Sequence, residues 1–352
     1  MTQTLRIGVA LVFGIFALAV ALPVMAFALP FWAVGRLAAF LHYRLAPSTG
    51  TWQNLIEFFP KIGWKPKANL DTHALADDVF RVVTDGEGWR GKTSLDDSHL
   101  VVFGDSHGFG HGIDERHYFG NQTRSVRVKA VAANGYNMVQ EVLWMCALES
   151  RLRDKLAVWF LFPGNDILDN LDASMGIYRS PFLRQNHGVG QWEIVTEHVQ
   201  PAPGPFMLHR YRTANYDRII KIYRKTSFSE RAFDACAYLI REAHRVCRRA
   251  GAHLAVFPIP DPIVLTPAGI QTLERHGAPR GSIDPTLPDR ELLRICQPLG
   301  IPLVAGSEHL TAGDYKEFDD HWNQRGHARV ARILEDIYST HAKTLTFPEE
   351  LA

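Results

Sequence analysis

Cysteine is scarce: only Cys146, Cys236, Cys247 and Cys296 occur in 352 residues. None falls in a C-x-x-C pair or a Cys/His ligand spacing, which argues against a structural zinc site and excludes a disulfide-stapled miniprotein. Cys236 and Cys247, read as members of one helix, lie about 16 Å apart and cannot bond to each other. The cysteines read as buried free thiols. An excess of one charge is lacking too, since 38 Lys+Arg stand against 37 Asp+Glu for a net charge of +1. That leaves no electrostatic footprint for a nucleic-acid partner. Internal repeats and low-complexity tracts are absent, and 46% hydrophobic residues are too many for a disordered chain.

Charge is also missing from one long stretch, Ile7 to Gly35 between Arg6 and Arg36. A bilayer-spanning helix needs about 20 apolar residues, so this run predicts a single-pass N-terminal membrane anchor over residues 1–44. A cleavable signal peptide ending near Met25 to Ala28 is the rival reading, but the apolar run continues through Phe31, Trp32 and Val34. Arg36, Arg44, Lys61, Lys65 and Lys67 follow the run, and the positive-inside tendency would keep the remainder cytoplasmic. Large domains cross regardless of charge, and a periplasmic or otherwise extracytoplasmic catalytic domain is the expectation adopted.

Residues 45–97 mix Pro, Gly, Trp and Lys, as in Pro60, Lys61, Gly63, Trp64 and Pro66. They show no sustained periodicity, so a juxtamembrane connector is expected. Short apolar runs then appear at 100–103, 125–133, 156–162, 253–259 and 301–305, alternating with helical patterns at 138–153, 230–250, 290–297 and 324–341. Strands alternating with helices predict an α/β domain, a parallel sheet covered on both faces. Residues 170–228 break the alternation, with Gly188, Gly190 and Pro201 to Pro205 marking an insertion.

Active sites of open parallel sheets form where loops leave the carboxyl ends of strands. The first of these strands runs into Gly104-Asp105-Ser106-His107-Gly108, a turn able to expose a nucleophilic hydroxyl. The second ends in Asn134 and Gly135, the third in Gly164, Asn165 and Asp166. Far downstream stands Asp319-Asp320-His321-Trp322-Asn323 before the last helix. A serine needs a base to take its proton, and a base histidine works best when a carboxylate fixes its tautomer. Taken singly, each block has a blander reading: a serine in a glycine turn, or an Asn323 cap on the last helix.

Together, in this order, the blocks resemble those of the SGNH/GDSL hydrolases over about residues 98–345. The resemblance implies a three-layer α/β/α sandwich of flavodoxin-like type. It implies Ser106 as nucleophile, His321 as general base and Asp319 as third member, with Asp320 as fallback. Its oxyanion hole would be the N–H groups of Ser106 and Gly135 with the side-chain amide of Asn165. The chain departs from the usual pattern in having His107 after the serine. It also has Asp-x-His, not Asp-x-x-His, an arrangement similar to the alginate-acetylation branch. No metal or organic cofactor is implied.

The functional expectation is a membrane-anchored serine esterase acting on an acylated small molecule or saccharide, such as an O-acetylated cell-envelope glycan. An O-acyltransferase using the same acyl-serine and a non-catalytic glycan-binding protein are the alternatives. His107, His111, His321 and His327 with Asp105 and Asp114 can be read as metal ligands instead. The glycines at 108, 110 and 112 argue against the helix that a His107/His111 pair would need. The aromatics of the insertion (Tyr178, Phe182, Trp192, Phe206, Tyr211, Tyr216) read as the core of a small cap in preference to a sugar-stacking surface.

Overall fold

The computed structural model describes residues 52–76, 79–172, 178–186, 191–200, 215–317 and 319–342. Two antiparallel hairpins come first, β1 (Ile56–Phe59) with β2 (Gly63–Pro66) and β3 (Asp71–Leu75) with β4 (Val79–Val83). The chain continues through β5 (Leu100–Gly104), α1 (Ser106–Phe109), α2 (Phe119–Gln122), β6 (Val128–Ala132), α3 (Met138–Ala147), β7 (Leu156–Leu161) and α4 (Asp166–Asp169). Next are β8 (Phe182–Asn186), β9 (Gln191–Val195), α5 (Asn215–Ile222), α6 (Ser227–Ala250), β10 (His253–Pro258), α7 (Pro267–Arg275), α8 (Leu287–Cys296) and α9 (Gln324–Ala342).

β5, β6, β7 and β10 form one parallel sheet in the order β10-β7-β5-β6. Their side chains alternate between two cores, as the period of two requires. Val101, Phe103, Trp159 and Val256 pack with α3, α6 and α8 on one face, while Leu100, Val102, Phe160 and Phe257 pack with α2 and α9 on the other. Burial on both faces explains why these strands read as apolar runs, broken in β6 by Lys129, which pairs with Asp85. The chain enters the sheet at β5, steps to β6 at the edge, then returns past β5 to β7. The loops after β5 and β7 therefore part at their carboxyl ends, the topological switch where such sheets hold their sites.

Local signals fix the helix ends. Asn137 and Gln140 cap α3 reciprocally, and Thr226 with Ser229 do the same for α6, which Gly251 ends at φ 69°. Only the expected strand at 301–305 fails to form, and a single parallel bridge joins Leu303 to Val256. Pro302 has no N–H to donate, so it accepts from Val256 through its carbonyl but adds no rung of its own. Of the cysteines, Cys236, Cys247 and Cys296 are buried free thiols as expected, whereas Cys146 is exposed.

The segment expected as a connector is folded onto the domain. Trp64, 1% exposed, donates its indole N–H to the Asn134 carbonyl at 3.0 Å, and the Tyr136 hydroxyl donates to the Trp64 carbonyl at 2.6 Å. Phe80 and Val82 of β4 lie in the core on the α9 side. The insertion is partly described: β8 and β9 pair antiparallel, and Trp192, buried as the cap-core reading expects, donates to Asp234 of α6 at 2.8 Å. Tyr216 is exposed instead, and Phe206 and Tyr211 lie outside the described residues.

The membrane expectation needs correction. Among the described residues no helix is long and apolar enough to cross a membrane. The uncharged run 7–35 on which the anchor and the extracytoplasmic placement rested lies outside the described residues. Length and lack of charge make a run eligible to span, but they do not by themselves show that a spanning helix forms.

Candidate active site

The turn after β5 depends on two close approaches. A Cβ on Gly104 would lie 3.0 Å from the Phe160 Cβ, and one on Gly108 2.8 Å from the Ala132 Cβ. A side chain at Gly104 would crowd β7, and one at Gly108 would push α1 off the sheet. Asp105 accepts from the His107 N–H at 2.9 Å and so starts α1 with Ser106 as its first residue. Ser106 is 9% exposed at the end of the central strand.

The second half of the site hangs on a short loop before α9. An antiparallel bridge between Tyr315 and Trp322 closes it, and Lys316 donates its N–H to the His321 carbonyl at 2.9 Å. Asn323 donates its amide to the Gly313 and Tyr315 carbonyls and accepts from the Gly326 N–H, so it caps the helix and ties the loop at once. Phe318, within the loop, lies outside the described residues.

These two loops bring Ser106 and His321 together across 215 residues of sequence: Ser106 Oγ lies 2.7 Å from His321 Nε2. On the far side of the imidazole, Nδ1 lies 2.7 Å from Asp319 Oδ1 and 3.3 Å from Asp320 Oδ1. With the proton on Nδ1, Nε2 accepts from the serine hydroxyl. The backbone carbonyl of Asp320 lies 3.1 Å from His107 Nε2, and the His107 ring stacks on that of His321 at 4.9 Å. His107 therefore braces the loop that carries His321.

Electrostatics separate the carboxylates. Burial raises the Asp319 pKa, but its hydrogen bond to His321 and the charge of that ring outweigh burial and hold it well below the usual carboxylate range. Asp320 goes the other way, raised first by burial, so the proton sits there more readily. For His321, burial lowers the pKa, yet the hydrogen bond and charge of Asp319, with Asp320 and Asp105, leave it raised above the usual histidine value. Burial works against the charge on Asp105, while His107 and the Asn165 amide favour it and bring its pKa down to about 2.

Asn165 follows β7 and donates its amide to Asp105 Oδ2 at 2.9 Å, an oxygen also 3.3 Å from Ser106 Oγ. The amide carries a second hydrogen for another acceptor. Gly135, at φ 76°, turns the chain at the end of β6, whose Ala132 lies in register with Gly104. Ser106 opens α1, and the first N–H groups of a helix lack intrahelical acceptors.

Of the residues considered as metal ligands, His111 joins Asp319 and His321 in a group whose donor atoms lie within 4.8 Å of one another. Asp114 instead caps a turn, accepting from Arg116, and His327 accepts from the Phe119 N–H at 3.3 Å beside its stacked ring. Sequence reading missed Arg90. Buried at 1% exposure, it pairs with Glu115 and donates to the carbonyls of Phe109, Gly110 and Ile113, fixing the loop beyond α1. Lys316, with Nζ 3.7 Å from Asp319 Oδ2, was missed too. Its spacing three residues before Asp319 was the available signal.

No family model matches the chain, and no curated protein matches it. Solved structures do. A putative arylesterase from Agrobacterium tumefaciens is similar at 15% identity and TM-score 0.39, covering 68% of this chain and 98% of its own. A GDSL-like lipase from Bacteroides thetaiotaomicron has 10% identity and TM-score 0.37 over 71% of this chain and 92% of its own. A psychrotrophic esterase from Pseudoalteromonas has 10% identity and TM-score 0.35 over 71% and 100%. At such values the weight for the chemistry rests on the side chains. The solved structures to which the chain is similar include esterases and a GDSL-like lipase.

Proposed function

We propose that the chain is a serine ester hydrolase working through an acyl-enzyme. The observation that carries this reading is the continuous line Ser106 Oγ, His321, Asp319, with 2.7 Å at each step. Ser106 Oγ attacks the ester carbonyl as His321 Nε2 takes its proton, and the same proton passes to the leaving alcohol. A water activated by His321 then frees the acid and restores the serine. The N–H groups of Ser106 and Gly135 and the Asn165 amide hold the oxyanion, with Asp105 positioning Asn165. The substrate is an acylated small molecule or saccharide; removal of an O-acetyl group from a glycan is the finer form, supported by the resemblance alone.

The test is the initial rate of p-nitrophenyl acetate hydrolysis by the full-length chain across pH 5 to 9. His321 acts only when neutral, and its pKa is raised, so activity is lost as pH falls through a value above the ordinary histidine pKa of about 6.5. Expected is turnover well above buffer with that acid limb. A rate equal to buffer at every pH would contradict the reading.

A further inference from the structure

Beside the serine line, a second set of donors converges on His321. The His111 ring lies 4.7 Å from the His321 ring, centroid to centroid. Single donor atoms of His111, Asp319 and His321 lie within 4.8 Å of one another. Two imidazoles and a carboxylate make a donor set suited to zinc and its neighbours among the first-row divalent ions. We propose that these three side chains form a reversible site for a divalent transition-metal cation such as Zn²⁺, and that its occupation switches off the serine chemistry. Only the inhibitory effect rests on the esterase reading.

The surroundings of His111 support a ligand role. Its Nδ1 faces the Asn134 side-chain nitrogen at 3.2 Å, while Asn134 Oδ1 is buried without a hydrogen-bond partner. Turning that amide over sets Oδ1 against Nδ1, which then carries the ring proton. The Nε2 lone pair is left for a cation, the arrangement in which metal-bound histidines are usually held. Phe80 closes another side of the ring at 6.1 Å. The Lys316 ammonium, 3.7 Å from Asp319 Oδ2, opposes a cation and makes the site weaker than a structural zinc centre.

Occupation and hydrolysis exclude each other whichever nitrogen of His321 binds. A cation on Nε2 takes the lone pair that accepts the Ser106 proton. One on Nδ1 takes the place of the proton held there by Asp319, so the single proton of the neutral ring moves to Nε2 and faces the serine. In both cases the base is gone.

The experiment titrates Co²⁺ into the untagged full-length chain and follows its visible ligand-field absorption, with Zn²⁺ as competitor. The same proteins are assayed with Zn²⁺, each against its own metal-free rate. Expected is one equivalent of Co²⁺ displaced by Zn²⁺, with affinity at least about tenfold weaker in both His111→Gln and Asn134→Ala. The Zn²⁺ inhibition constant should rise in parallel. Either variant decides if the other fails to fold. Absence of Co²⁺ binding, or affinity unchanged by His111→Gln, overturns the site. Binding that depends on His111 in a chain without ester hydrolysis would keep the site and remove the esterase reading; hydrolysis without Co²⁺ binding would do the reverse.

Discussion

Ser106→Ala is expected to lower kcat for ester hydrolysis by on the order of 10⁴- to 10⁶-fold, and His321→Ala by a similar factor. The two residues act as one unit, because the hydroxyl is a competent nucleophile only while Nε2 removes its proton. The double variant should therefore be no slower than either single one, which initial rates on the three purified proteins will show. Independent, multiplying losses would mean that Ser106 and His321 do not share a proton, despite the 2.7 Å between them. Folding is expected to survive both changes, since neither side chain is part of the two packed cores.

Asp319→Asn carries the second large effect, a loss of about 10⁴-fold in kcat. An asparagine that turns its N–H₂ toward Nδ1 favours the tautomer with the proton on Nε2, so the ring donates toward Ser106 and no longer accepts. Asp320→Asn should cost far less. Its carboxyl is farther from Nδ1, 3.3 Å against 2.7 Å, and burial favours its neutral form, whereas Asp319 stays ionised. What Asp320 gives the site is its backbone carbonyl, next to His107, and an asparagine keeps that. Steady-state kcat for the two variants side by side decides between them. A larger loss for Asp320→Asn would reverse the assignment.

The four-stranded sheet was legible because strands buried on both faces leave apolar runs, interrupted inside the sheet by Lys129 of β6, and the helices because their caps and periodicity agree. The serine, the histidine and the two strand-end loops were legible through their order along the chain, which encodes the strand ends of one sheet. The choice between Asp319 and Asp320 was not, because adjacent carboxylates differ in side-chain direction and burial, neither of which spacing records. The hairpins of 56–83 escaped notice because each strand has only four or five residues, and Lys65 and Arg81 interrupt the apolar pattern. Arg90 escaped because most of its partners are backbone carbonyls, which have no sequence signature, and its one acidic partner, Glu115, stands far from it in the chain. His111 stood out only as one of several histidines; its neighbours Asn134 and Phe80 come from different parts of the chain.

The nucleophile itself is tested most directly by covalent trapping. The full-length chain is treated with a fluorophosphonate, and the adduct is located by intact mass and peptide mapping. A single adduct on the peptide that contains Ser106, absent from Ser106→Ala and strongly slowed in His321→Ala, is the expected result. An adduct at another residue, or one that persists in Ser106→Ala, would contradict the account.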